Sequence, residues 1–316
     1  MASSTRAGTD LDRALSGDVR ALARLLSLVE DDSPRMREVI KDLLPKTGQA
    51  RIIGLTGAPG VGKSTMTGAL VGAFRAAGHR VAVLAVDPTS PFTGGALLGD
   101  RIRMQEHATD QAVFIRSMAT RGHLGGLAAA TPQAIRILDA AGFELIIIET
   151  VGVGQAEVAI ASLADSVVVL LAPGMGDAIQ AAKAGILEIA DIFVVNKSDR
   201  PGAQEVVRDL RTMLAMASYQ ASDWKPPIVS TTAATGDGIG DLAAAIGKHR
   251  HWLADTGLLA ERRRARVREE ISAIALAELR RRMGALPGES RLDELADRVT
   301  AGELDPYSTA DELISG

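Results

Sequence analysis

Between residues 11 and 44 the apolar positions Leu11, Leu15, Val19, Leu22, Leu26 and Val29 recur at spacings of three and four. That is the period of an amphipathic helix, not of a strand. A second helix is predicted after Asp32-Ser33-Pro34, where Pro34 suits a first-turn position because its missing N–H is not needed there. From Arg51 the pattern changes. Short uninterrupted runs rich in Val and Ile, at 52–55, 81–86, 113–115, 145–148, 167–171, 192–195 and 228–229, alternate with stretches of helical spacing. Strands that are apolar on both faces belong to a parallel sheet with helices packed above and below it. The predicted fold is therefore α/β, a doubly wound and mostly parallel sheet. Helices are expected at its end over 240–254, then over the Arg-, Glu- and Ala-rich stretch 261–283, and, past a turn at Pro287-Gly288, over 292–299.

Composition narrows the class. With 316 residues, 47% of them hydrophobic, the chain can bury one substantial core plus helical extensions. A net charge of −4, with basic residues scattered except at Arg262, Arg263, Arg264, Arg266 and Arg268, marks no nucleic-acid surface. That basic run reads as a solvated helix face or as a partner interface. The absence of cysteine excludes disulfides, thiolate metal sites and cysteine nucleophiles. The polar start lacks the features of a secretory signal, and the apolar runs are far short of the roughly 20 residues that span a bilayer, so a cytoplasmic protein with no membrane partner is expected.

The strand predicted at 52–55 runs into Gly57-Ala58-Pro59-Gly60-Val61-Gly62-Lys63-Ser64, and a helix is expected from Thr65. A glycine-rich turn between a strand and a helix lets backbone N–H groups converge on phosphate oxygens where the helix dipole also favours anions. Lys63 is expected to reach the β- and γ-phosphates, and the Ser64 hydroxyl to bind Mg2+. Asn196-Lys197-Ser198-Asp199 closes a later strand, and a carboxylate there accepts from the N1 and exocyclic amino groups of guanine, a pattern adenine lacks at that edge. Asp199 thus argues for GTP or GDP as ligand. After the next strand Thr232-Ala233 stands where Ser-Ala is usual, a mild departure for a contact made through backbone N–H.

Glu149-Thr150-Val151-Gly152 follows a buried strand. Glu149 is placed to hold Mg2+ through water, and the Gly152 N–H to sense the γ-phosphate as a switch. Val153 stands where Ras-type enzymes carry the glutamine that orients the attacking water, so intrinsic hydrolysis should be slow. Asp87 and Asp100 sit on the loop side that carries function, yet Asp87-Pro88 also reads as a turn start and Asp100 as a helix cap. Of the five histidines only His249 and His251 come near a metal-ligand spacing, and on a helix they would point to opposite sides, so all five read as packing or surface residues.

Taken together, GAPGVGKST at 57–65, VDPTSPFTGGALLGDRIRM at 86–104, MATRGHLGGL at 118–127, ETVGVGQAE at 149–157, PGMGDAIQAAKAGILEIAD at 173–191 and NKSD at 196–199 resemble the MeaB/ArgK family of G-protein chaperones. The resemblance runs from about residue 10 to 312. It implies a Mg2+-dependent GTPase of the SIMIBI class that serves an adenosylcobalamin-dependent acyl-CoA mutase, usually methylmalonyl-CoA mutase, gating cofactor loading and protecting or reactivating the mutase. It places Lys63, Ser64, Asp87, Asp100 and Glu149 around phosphate and Mg2+, and matches Asp177 and Lys183 to a third switch facing the mutase. It also implies a homodimer joined through a C-terminal arm. The expected organisation is a helical extension over 1–48, a P-loop GTPase domain over 49–254 and a helical dimerisation arm over 255–316. An older association of the family with a kinase of amino-acid transport supplies the alternative reading. A nickel-loading GTPase of similar fold would call for Cys or His clusters, and the chain has no Cys.

Overall fold

The computed structural model describes residues 4–31, 33, 35–87, 109–119, 130–150, 155–174, 188–220, 222–285 and 289–315. Three helices come first, α1 (Ser4–Leu15), α2 (Val19–Glu30) and α3 (Met36–Leu43). Asp18 starts α2 by accepting from the Arg20 and Ala21 N–H groups at 2.9 and 3.0 Å, satisfying donors that the first turn of a helix leaves without partners. Pro34, expected to open the next helix, lies outside the described residues.

The α/β region follows as β1 (Arg51–Gly57), α4 (Lys63–Ala76), β2 (Val81–Asp87), β3 (Val113–Ala119), α5 (Thr131–Ala140), β4 (Leu145–Thr150), α6 (Gln155–Leu163), β5 (Ser166–Leu171), β6 (Ile192–Val195), α7 (Ala203–Met216), β7 (Ile228–Ser230) and α8 (Ile239–Asp255). All seven expected strands form one sheet in the order β3-β2-β4-β1-β5-β6-β7, with every neighbouring pair parallel. Alternation along the strands sends residues to two cores. Ile52, Leu84, Ile146, Val169 and Phe193 join Leu25, Leu26, Leu138 and Val207 on one face. Ile53, Leu55, Val83, Ile147 and Val194 join Met66 and Leu70 of α4 and Leu242 of α8 on the other. Two apolar layers on one parallel sheet make the doubly wound architecture.

Parallel pairing collects the carboxyl ends of all strands at one edge, and the order places β1 where the crossovers change direction, between β4 and β5. That is where open α/β sheets bind ligands. The opposite edge is held by charge. Asp165 and Asp191 precede β5 and β6 and accept from the Ile52 and Val167 N–H groups at 3.1 and 2.8 Å.

After α8 come α9 (Leu258–Ala285), α10 (Glu289–Thr300) and α11 (Pro306–Ser315). The chain divides into two compact units at 263/264, so α9 begins within the first. There Arg262 donates to both Asp191 carboxylate oxygens at 2.8 and 2.9 Å, and Arg263 donates to Asp165 at 2.9 Å and to the Ala50 carbonyl at 2.8 Å. These two arginines therefore anchor the start of α9 to Asp191, Asp165 and the Ala50 carbonyl, a role that the basic run did not show in sequence. The second unit, Arg264–Gly316, carries exposed Val267, Ile271, Ile274, Leu276 and Leu279 on α9, and buries Leu295 of α10. Among the described residues no helix is long and apolar enough to cross a membrane.

Candidate nucleotide and metal site

The phosphate loop is built from glycines in backbone conformations that side chains resist. Gly57 ends β1 at φ 145°, where a Cβ would run into the Leu170 carbonyl oxygen, and Gly62 opens α4 at φ 96°. A Cβ on Gly62 would lie 2.6 Å from Asn196 Nδ2, so the helix start needs glycine for its φ and for space. No side chain caps α4, which presents the positive end of its dipole to the loop. Lys63, at 8% exposure, donates from Nζ to the Gly57 and Ala58 carbonyls at 2.6 and 3.1 Å. The ammonium group is thus held inside the loop that would wrap a phosphate. Pro59, Gly60 and Thr65 are exposed at its rim.

Glu149 lies at the end of β4, level with Leu55 of β1, and is 1% exposed. Its Oε1 accepts from Ser64 Oγ and its Oε2 from Thr67 Oγ1, each at 2.8 Å. A buried carboxylate is costly without donors, and these hydroxyls supply them. The Ser64 oxygen keeps lone pairs that can ligate a cation. A hydroxyl beside a carboxylate is an all-oxygen set suited to a hard cation, and among the described residues no group of three or more His, Cys, Asp or Glu side chains could hold a metal alone. That combination fits Mg2+, which is typically bound by one or two protein oxygens together with phosphates and water.

The base side is organised by Asn196, which is buried after β6. Its Nδ2 donates to the Val61 carbonyl at 2.8 Å, and its Oδ1 accepts from Thr231 Oγ1 at 3.2 Å and the Ala233 N–H at 3.1 Å. Lys197 adopts φ 57°, unusual for a residue with a side chain, and donates to the Gly60 carbonyl at 2.6 Å. Ser198 donates its N–H to the Thr231 carbonyl at 3.0 Å and shares a 3.2 Å hydroxyl contact with Thr232. Asp199, beside them, is exposed, and its carboxylate holds no hydrogen bond among the described residues.

The structure thus brings together Gly57 to Thr65, Glu149 and the Asn196-Lys197-Asp199 and Thr232-Ala233 loops. Asp87 ends β2 at the same edge, but its side chain, with Asp100, Gly152, Val153, Asp177 and Lys183, lies outside the described residues. One detail differs from expectation. The Thr232 N–H goes to the Asp237 carbonyl and the Ala233 N–H to Asn196, so the exposed Ala234 offers the nearest N–H with no acceptor among the described residues. Thr67 and Thr231 were not anticipated. The only signal for them is their chain spacing from Ser64 and Thr232.

The model of the family described as Methylmalonyl Co-A mutase-associated GTPase MeaB matches residues 22–287. A putative GTPase of Pyrococcus horikoshii is 50% identical over 306 residues, covering 96% of each chain. The mouse protein named methylmalonic aciduria type A homolog, mitochondrial, is 33% identical over 96% of this chain and 79% of its own length. Among solved structures, the crystal structure of a LAO/AO transport system kinase superposes with a TM-score of 0.72 at 26% identity, covering 98% of this chain and 96% of that one.

Proposed function

The chain belongs to the MeaB family of GTPases, and from that premise we propose that its nucleotide cycle serves an adenosylcobalamin-dependent acyl-CoA mutase. Hydrolysis of GTP to GDP and phosphate is the activity of the family. The finer role is to gate cofactor loading and to protect or reactivate the mutase, in the cytoplasm. The observation that carries the guanine reading is the exposed carboxylate of Asp199 beside the Asn196 junction, because only a base with two adjacent donors satisfies it.

Within this reading Lys63 leaves its loop carbonyls for the β- and γ-phosphates, and the first turn of α4 receives the phosphate oxygens. Ser64, Glu149, Asp87 and Asp100 hold Mg2+, which neutralises charge on the transferring phosphoryl group when bound. The segments around Gly152, Asp177 and Lys183 act as switches that report the γ-phosphate to the mutase. With Val153 in place of a water-orienting glutamine, turnover is slow until the partner completes the site. Exposed Ile271, Ile274 and Leu279 on α9 support pairing of two copies through the arm.

The test is GTP turnover of the purified protein with and without its cognate mutase. Complex formation with faster phosphate release is expected, and a mutase that neither binds nor alters turnover contradicts the reading. Phosphoryl transfer from labelled GTP to a protein or small-molecule acceptor would instead favour a transport-linked kinase.

A further inference from the structure

Beyond the phosphate, metal and base residues already placed, α4 carries a buried hydroxyl, that of Thr67, whose chemistry none of those roles uses. Thr67 lies three residues past Ser64 on α4 and is fully buried. Helical residues at that spacing share a face, so both hydroxyls meet the carboxylate that β4 presents. A helical threonine commonly donates to the carbonyl one turn back. Thr67 donates to Glu149 Oε2 at 2.8 Å instead, while Ser64 donates to Oε1 at 2.8 Å.

We propose that Thr67 is a positioning residue for the metal site, holding the plane of the Glu149 carboxylate fixed when Ser64 turns toward a cation. This role for Thr67 rests on the assignment of Ser64 and Glu149 to Mg2+. Because the Ser64 and Thr67 hydroxyls donate to different oxygens, the carboxylate cannot rotate about its terminal bond without losing these hydrogen bonds. Ser64 is the group whose lone pairs the cation recruits, so its orientation is the one that changes. Thr67 has no such duty and remains in place, so Glu149 meets the hydrated cation in a preset orientation.

The experiment is a binding titration of a fluorescent GDP analogue in EDTA and across a Mg2+ series, using the full chain as wild type, Thr67→Val and Thr67→Ser. Valine keeps shape and removes the donor. The expected result is unchanged affinity in EDTA for Thr67→Val, with the Mg2+ concentration that half-maximally tightens binding raised about tenfold, the scale of one lost hydrogen bond to a charged group. Thr67→Ser restores the wild-type Mg2+ dependence. Wild-type Mg2+ dependence in Thr67→Val overturns the proposal, and so does an equal loss in EDTA and Mg2+, which marks a merely structural residue. A wild-type protein whose GDP affinity ignores Mg2+ overturns the metal-site assignment itself, and the wild-type arm alone reveals that. If Thr67→Val does not fold, Thr67→Ala against Thr67→Ser carries the same contrast.

Discussion

Asn196 donates from Nδ2 to the Val61 carbonyl at 2.8 Å, across 135 residues of chain. This bond, with the Ala233 N–H on Oδ1, makes the phosphate loop and the base loop one rigid piece, so a ligand spanning both meets a preset distance between them.

Asn196→Ala should therefore weaken binding at both ends of the nucleotide. Truncation leaves the Ala233 N–H and the Val61 carbonyl without their buried partner, costing about 1–3 kcal/mol for each group left unsatisfied. The outcome is a melting temperature lowered by several degrees and a GDP affinity reduced at least about tenfold. Thermal denaturation and a fluorescent GDP titration check it.

Asp199→Asn should change selectivity more than stability, because the side chain is exposed and holds no hydrogen bond among the described residues. The amide replaces a double acceptor by one acceptor and one donor group. GTP affinity should fall about tenfold to a hundredfold, while a xanthine nucleotide, which has a carbonyl where guanine has the amino group, should gain. Competition binding of the two nucleotides reads the outcome.

Burial pushes the Asp191 carboxyl upward, but hydrogen bonds and charge from His249 and Arg262 outweigh it, and the group lies below its ordinary value of 3.8. A depressed folded value contributes stability that is present above the unfolded value and is lost as pH falls from about 4 through the folded value. Arg262→Ala should cost about 2 kcal/mol at neutral pH, less than a fully buried pair because the Arg262 side chain is 38% exposed. The difference from wild type should shrink below pH 4, as measured by urea denaturation across pH.

Ile271→Glu with Ile274→Glu places charge on two exposed apolar positions of α9. If the arm pairs two copies, the double variant should sediment as a monomer where the wild type sediments as a dimer, with GDP affinity retained. Analytical ultracentrifugation distinguishes the two.

The five inner strands were legible because their Val- and Ile-rich runs are buried, which leaves an unbroken apolar signature, whereas the edge strands β3 and β7 offered only short apolar runs and are partly exposed. The shortfall is instructive at β3, expected over 113–115 and found as Val113–Ala119. Arg116 breaks the run, yet it stays in the edge strand because its guanidinium donates to the Ala23 carbonyl and Ser27 of α2 at 3.0 Å each, and pairs with Glu30. Within the site, Lys63, Ser64, Asn196 and Glu149 were readable because each stands in a short motif beside a strand end. Thr67 was not, since its role depends on the register that sets Leu55 beside Glu149. Arg262 was hidden for a related reason. Its partner Asp191 is 71 residues away, and a run of arginines on a helix has no feature that separates an anchoring residue from a solvated one.

A guanine site coupled to a mutase is tested most directly by isothermal titration of GDP, ATP and a non-hydrolysable GTP analogue, each with and without the cognate mutase. Such a site binds both guanine nucleotides, binds ATP at least about a hundredfold more weakly, and has its affinity for the GTP analogue shifted by the mutase relative to that for GDP. Tight ATP binding with guanine nucleotides ignored, or guanine affinities that the mutase leaves unmoved, would rule it out.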